Sequence, residues 1–212
     1  MKNLIIIGAR AFGREVYNIA LQTKEYNTEW TIKGFLDDDL SVLKGFYNKY
    51  PPIIGSIKDY KIQKDDVFIC ALGDPIVKKD FIQEIELRGG KFVNIIHPTA
   101  VINPTGVQLG KGIIICPLTY ISNDVTIKNF VTIQTHVAVG HDTIIEEYCQ
   151  INAFAFMGGY AHIKDNTLIN PGACIAPKVS IGKEVIVGIN SGVISNVKDN
   201  FSVYGNPAKR IL

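Results

Sequence analysis

Residues 121–192 read, in blocks of six, ISNDVT IKNFVT IQTHVA VGHDTI IEEYCQ INAFAF MGGYAH IKDNTL INPGAC IAPKVS IGKEVI VGINSG. Each block opens on an aliphatic residue or Met. Extended both ways, the series is Leu109, Ile115, Ile121, Ile127, Ile133, Val139, Ile145, Ile151, Met157, Ile163, Ile169, Ile175, Ile181, Val187 and Val193, without a break. Two positions before each stands a small or β-branched residue in nearly every case, from Val107 through Thr119, Val137, Cys149 and Ala161 to Ser191; Ile113 is the larger exception. Strand side chains alternate, so residues two apart face the same side. Each block therefore predicts one short strand with both marked positions inward, followed by a tight turn. A helical stripe repeats at about 3.6 residues and does not produce this spacing. Three blocks close one triangular coil, and ladders such as Leu109-Ile127-Ile145-Ile163-Ile181 stack along one face.

Residues 1 to 95 follow a different pattern. Strands are expected over Leu4–Ala9, Ile32–Leu36, Asp66–Leu72 and Phe92–Ile96, with helices over Ala11–Thr23 and Ile76–Arg88, the second stopped by Gly89-Gly90. Alternating strands and helices predict a small parallel α/β sheet. The chain thus divides into residues 1–95, an α/β domain, and residues 96–212, the repeat with a short C-terminal tail.

Bulk properties bound the function classes. With 212 residues, 47% hydrophobic and 20% charged, the composition is that of a globular protein. A net charge of +2 gives no electrostatic reason to expect nucleic acid or an anionic membrane as partner. No apolar run is long enough for a membrane span, and the first residues lead directly into a strand without signal-peptide features. Cys70, Cys116, Cys149 and Cys174 are scattered without metal or redox pairing, as expected for a reducing cytoplasm.

Among the histidines, His97 stands at the junction before the repeat, and His162 precedes inward Ile163 and so faces outward from a flat side. His141 falls two residues after inward Val139, at a corner where side chains project outward. The adjacent carboxylate, Asp142, can orient the imidazole and raise its basicity. Histidine suits general-base work because its unperturbed pKa, about 6.5, is near working pH. Taken alone, an exposed corner histidine is more often ordinary surface. In the first domain, Gly8-x-x-x-x-Gly13 joins a strand to a helix and has the layout of a phosphate-binding turn. Arg10 fills the middle glycine position of the dinucleotide fingerprint, which argues against an NAD-type cradle, and simple strand-to-helix geometry explains the glycines equally well.

Several motifs follow one order: Gly8-Ala9-Arg10-Ala11-Phe12-Gly13, Gly34-Phe35-Leu36-Asp37-Asp38, His97-Pro98-Thr99-Ala100, Val139-Gly140-His141-Asp142 and Gly205-Asn206-Pro207-Ala208-Lys209-Arg210. Together they resemble the hexapeptide-repeat sugar acyltransferases of the sialic-acid O-acetyltransferase and nucleotide-aminosugar N-acetyltransferase group. The resemblance implies a Rossmann-like nucleotide-sugar-binding domain followed by a left-handed parallel β-helix, an exception to the usual right-handed crossover. It implies a cytoplasmic homotrimer using acetyl-CoA as acyl donor and no metal, working in bacterial-type surface glycan synthesis. His141 is then the general base with Asp142 beside it. Cofactor contacts fall on Gln150, Gly159, Pro171 and Ile189, where Gln150 replaces a histidine found in some relatives. Substrate contacts fall on Arg10, Ala11, Phe12, Asp37, Asp38 and Gly55. Phe12 replaces a frequent histidine and either stacks on a ring or packs.

The expected reaction is acetyl transfer to the amine of a nucleotide-linked amino sugar, with sugar O-acetylation as the alternative. Two other readings use the same scaffold. A γ-type carbonic anhydrase would ligate zinc through His136 and His141, but Ala100 stands where a third ligand is needed. A non-catalytic trimeric scaffold is also compatible with the repeat, since fold alone does not give function.

Overall fold

A computed structural model describes residues 1–46 and 48–211, so Leu212, the last residue of the expected second domain, lies outside the described residues. The chain forms two compact units, Met1–Pro98 and Thr99–Leu212.

The first unit contains β1 (Lys2–Ile7), α1 (Ala11–Ala20), β2 (Trp30–Leu36), β3 (Ile53–Gly55), β4 (Asp66–Cys70), α2 (Pro75–Leu87) and β5 (Lys91–Phe92). The strands form a parallel sheet in the order β3-β2-β1-β4-β5. β1 is a continuous apolar run, and Leu4, Ile5, Ile6 and Ile7 are all fully buried, as expected for a parallel strand covered on both faces. It stops at Ile7 because Gly8 turns the chain at φ +93°. α1 buries Gly13, Val16, Ile19 and Ala20 and ends at Ala20, short of the expected Thr23, whose hydroxyl donates back to Ala20 O at 3.0 Å. α2 starts where Asp74 Oδ1 accepts from Ile76 N at 2.9 Å and Val77 N at 3.1 Å, with Pro75 in the first turn. Two expectations need correction. The strand expected over Phe92–Ile96 is two separate pieces, Lys91–Phe92 and Ile95–Ile96. The edge strand β3, three residues after Pro51-Pro52, was not anticipated.

At the start of β4, Asp66 anchors a part-buried polar cluster. Its carboxylate accepts from Lys33 Nζ at 2.9 Å, Tyr60 OH at 2.7 Å, Gln63 N at 2.8 Å and Asn3 Nδ2 at 3.3 Å. Burial alone would raise its pKa, but these hydrogen bonds prevail and hold it below the ordinary 3.8.

The second unit is a three-sided parallel β-helix of two-residue strands. One sheet stacks Val101–Ile102, Tyr120–Ile121, Ala138–Val139, Phe156–Met157, Cys174–Ile175 and Gly192–Val193. The second stacks Gln108–Leu109, Thr126–Ile127, Ile144–Ile145, His162–Ile163 and Ser180–Ile181. The third includes Ile114–Ile115, Thr132–Ile133, Gln150–Ile151, Leu168–Ile169 and Ile186–Val187, and is extended by Ser202–Tyr204 and an antiparallel Lys209–Arg210. Every inward position of the sequence series from Ile115 to Val193 is buried. The small partners fill the remaining interior: Val137, Thr143, Cys149, Ala155, Ala161 and Ala173 are all within 1% of full burial.

The third residue after each inward aliphatic forms the corner. Leu118, Asp124, Phe130, His136, Asp142, Tyr148, Phe154, Tyr160 and Asn166 all have φ between +56° and +62°. This left-handed conformation is uncommon outside glycine. Coil-to-coil bonds hold it, as in Asp142 N to Asn123 O at 3.2 Å, Tyr160 N to His141 O at 2.9 Å and Lys178 N to Gly159 O at 2.9 Å. None of the four cysteines is in a disulfide, and Cys174 alone is exposed.

Candidate active site

His141 sits at the corner between the first and second sheets of the β-helix, in the hexad Val139–Ile144. Val139 anchors the hexad inward, and Gly140 is required next. A Cβ there would lie 2.7 Å from Gly159 N in the following coil. Side chains of adjacent strand residues point opposite ways, but the left-handed kink at Asp142 breaks that alternation. Imidazole and carboxylate meet: His141 Nδ1 lies 2.7 Å from Asp142 Oδ2. A carboxylate only accepts, so Nδ1 carries the proton and donates it, and the neutral ring keeps its lone pair on Nε2. The His141 side chain is 54% exposed.

The following coil frames the ring. Gly159 stands directly beside it: a Cβ at this position would be 2.7 Å from both Cε1 and Nε2 of His141. Glycine here is therefore a condition for the observed imidazole position, in addition to any turn requirement. The Tyr160 ring packs edge-on, with centroids 5.2 Å apart at 89°. Tyr160 was not among the expected site residues, although it stands one full coil after Asp142 and the repeat itself places it there.

The other residues expected to contact cofactor are spread around the prism. Pro171 and Ile189 share a corner at the other edge of the first sheet, one coil apart, joined by Asn190 N to Pro171 O at 2.9 Å. Gln150 is on the third sheet, away from the His141 corner. Its side chain is buried, and Nε2 donates to Asn152 Oδ1 at 2.9 Å. Within one chain, only Gly159 of these four adjoins His141.

The remaining histidines have other partners. His136 occupies the Pro171 corner, stacked on Phe154 with centroids 4.8 Å apart. Thr135 Oγ1 donates to Pro117 O at 2.8 Å, so its 2.9 Å contact with His136 Nδ1 is donated by the ring. His162 Nε2 pairs with Glu146 Oε1 at 2.9 Å on the second sheet. His97 is buried, with Nε2 3.1 Å from Gln22 Oε1, and burial lowers its pKa. His136 and His141 thus stand at different corners, and no group of three metal-ligating side chains occurs among the described residues. No helix among them is long and apolar enough to cross a membrane.

In the first unit, the expected substrate residues gather at the carboxyl ends of β1, β2 and β3, the crevice where open α/β sheets bind ligands. Asp37 is buried there. Its Oδ2 accepts from Ala9 N at 2.9 Å and its Oδ1 from Asp39 N at 3.0 Å, bracing the glycine turn. Asp38 Oδ1 accepts from Ile57 N at 3.0 Å. Both carboxylates therefore already hold loop backbone. Gly55 O accepts from Asp37 N at 3.2 Å, tying β3 to the same loop. Gly13 has a packing reason, since a Cβ there would collide with Gly8 O. Arg10 and Ala11 are exposed, with Arg10 Nη2 3.8 Å from Asp39 Oδ2, and Phe12 is half-buried. Ser41 donates through its hydroxyl and amide to Asp39 and keeps that carboxyl below its usual range.

Comparison with known proteins agrees with this layout. Residues 3–85 match the PglD N-terminal domain. The GDP-perosamine N-acetyltransferase of Escherichia coli O157:H7 is 29% identical over 216 residues, covering 97% of this chain and 95% of that protein. The UDP-N-acetylbacillosamine N-acetyltransferase of Bacillus subtilis (strain 168) is 27% identical over 121 residues, covering 54% of this chain and 51% of that protein. The crystal structure of PerB from Caulobacter crescentus, in complex with CoA and GDP-perosamine, superposes with a TM-score of 0.88 at 25% identity, covering 100% of this chain and 98% of that one. The chain is thus similar over its whole length to nucleotide-aminosugar N-acetyltransferases, with a PglD-type N-terminal domain followed by a left-handed β-helix.

Proposed function

We propose that the protein transfers an acetyl group from acetyl-CoA to the amine of a nucleotide-linked amino sugar, with His141 as general base, for surface glycan synthesis of bacterial type. The observation that carries this reading is the His141 Nδ1–Asp142 Oδ2 bond of 2.7 Å, which leaves Nε2 as an outward acceptor. Acetyl-CoA supplies the acyl group activated as a thioester. His141 Nε2 takes the proton that the amine must lose as its nitrogen bonds to the carbonyl carbon. Asp142 holds the Nδ1 proton and stabilises the resulting imidazolium by charge. The imidazolium then returns a proton to the departing thiolate, so base and acid are one group and the ring ends neutral. The half-exposed Tyr160 and the bare backbone of Gly159 suit a narrow apolar arm beside Nε2.

The N-acetyltransferase relatives favour an amine acceptor over the hydroxyl acceptor of the alternative reading. The expected nucleotide contacts, at Arg10, Ala11, Phe12, Asp37, Asp38 and Gly55, are supported by their meeting at one crevice. Because its carboxylate is already committed to Ala9 and Asp39, Asp37 acts by shaping the loop. For the donor, Gly159 has the clearest support, and Gln150 contributes nothing from its buried position in a single chain.

A homotrimer is supported by exposed apolar side chains gathered on the first sheet and its edges. Val101, Leu118, Phe154, Phe156 and Ile189 stand there together, and an apolar patch of this kind marks an association surface. A cytoplasmic location follows from the substrates. The test is a thiol-release screen of acetyl-CoA against UDP-, GDP- and dTDP-linked amino sugars, with light scattering for the oligomer. Release with at least one amino sugar and the mass of three chains are expected. No release with any acceptor would remove the enzymatic reading.

A further inference from the structure

The corner that carries His141 continues into the preceding coils, where polar side chains stand that the reaction above does not use. Asn123 lies one coil before His141 at the same corner, since Asp142 N donates to Asn123 O at 3.2 Å. Adjacent coils are spaced about 4.8 Å apart. Asn103 Nδ2 donates to Asn123 Oδ1 at 3.0 Å and to Tyr120 OH at 3.2 Å. These two bonds fix three side chains as one array and use both N–H groups of the Asn103 amide. What remains is an acceptor at Asn103 Oδ1, two donors on Asn123 Nδ2 and the donor of the Tyr120 hydroxyl.

The array has the chemistry of a sugar subsite. It is neutral and mixes donors with an acceptor, which suits hydroxyl groups that both give and take a hydrogen bond. The Tyr120 ring is 45% exposed and offers apolar surface to the C–H face of a pyranose. The imidazole leans toward the following coil, where Gly159 touches it, and leaves the ground above exposed Asn123 uncovered. A pyranose is about as wide as one coil spacing. Asn123 is one coil, about 4.8 Å, before His141 at this corner, within the span of an amino sugar whose amine is at Nε2.

We propose that Asn103, Tyr120 and Asn123 form the subsite that recognises the hydroxyls of the acceptor sugar, and so determine which amino sugar is acetylated. This rests on the proposed acetyl transfer at His141. Asn123 and Tyr120 meet the sugar directly, and Asn103 holds both in place.

The test is calorimetric titration of the wild-type protein, Asn123→Ala and Asn103→Ala with GDP-perosamine and with UDP- and dTDP-linked amino sugars. Free GDP, UDP, dTDP and acetyl-CoA serve as controls. All three side chains are on the surface, so the variants are expected to fold. For the nucleotide sugar that the wild type binds, each variant should lose about tenfold in affinity, the worth of one or two hydrogen bonds. Affinity for free nucleotide and acetyl-CoA should not change, and the acceptor KM should rise with kcat within about twofold. Unchanged affinity for the nucleotide sugar, an equal loss for the free nucleotide, or no sugar-dependent binding by the wild type would each overturn the subsite. If the wild type binds the nucleotide sugar through these residues but releases no thiol, the catalytic reading fails and the subsite stands.

Discussion

In the first unit, the chain reverses at Gly8, Gly45 and Gly89, with φ from +84° to +93°, and only Asn27 and Asn48 take comparable angles among the described non-glycine residues there. In the β-helix, Leu118, Phe130, Tyr148, Phe154 and Tyr160 adopt φ of +58° to +62°. A left-handed residue with a Cβ costs about 1–2 kcal/mol. Each turn of the α/β unit is unique, so the residue itself must supply the conformational freedom. Each β-helix corner is a copy of the one beneath it, and the hydrogen bonds between stacked coils offset the cost. The same corner conformation at Asp142 brings its carboxylate against His141. The His141–Asp142 contact thus depends on a backbone state that an isolated turn of this sequence would not hold.

The largest expected effect is in the β-helix interior. Ile163→Ala removes a fully buried ladder residue and should cost about 2–5 kcal/mol by denaturant unfolding. Outward-facing Ile144→Ala, one hexad face away from the core, should stay within about 0.5 kcal/mol. Similar losses for the two would break the inward–outward assignment.

In the first unit, the Asp66 cluster should dominate acid sensitivity. Its carboxyl pKa is lowered on folding, so its contribution is fully present above the unfolded value and is lost as pH falls through the folded one, below 3.8. Asp66→Asn should lower stability at pH 7 by about 1–3 kcal/mol and flatten the stability–pH curve below about pH 4. An unaltered acid limb would show that other carboxylates govern it.

The smallest effects sharpen the comparison of turns. At Gly89, with φ +84°, a Cβ would meet nothing within 4 Å, so Gly89→Ala should cost about 1–2 kcal/mol through backbone alone. Glu184→Gly, at an exposed corner with φ +56°, should instead gain up to about 1 kcal/mol. Thermal melts of both variants check the opposite signs.

Much of the fold was legible because core burial repeats: one inward aliphatic per hexad, from Ile115 to Val193, is a signal that no local preference obscures. Corners were less legible. Leu118, Phe130 and Tyr148 are poor turn formers, and their φ comes from stacking, which a local reading does not register. β3 was missed because it is three residues long and follows two prolines at the sheet edge. At the proposed site, the outward corner position of His141 and Asp142 was readable from their place after Val139, whereas their role came from the resemblance. Tyr160 and Asn123 required thinking in whole coils, since they meet that corner from the coils on either side. The Asp37 and Asp38 carboxylates looked like ligand acceptors, and only the folded loops reveal that Ala9, Asp39 and Ile57 already hold them.

The most direct test of the central claim is thiol release by His141→Ala with saturating acetyl-CoA and the acceptor that the wild type uses. The expected result is a folded variant that binds acetyl-CoA near normally and turns over about 10²–10⁴ times more slowly, the usual worth of a general base. Turnover at the wild-type rate would contradict the assignment of Nε2 as the proton acceptor.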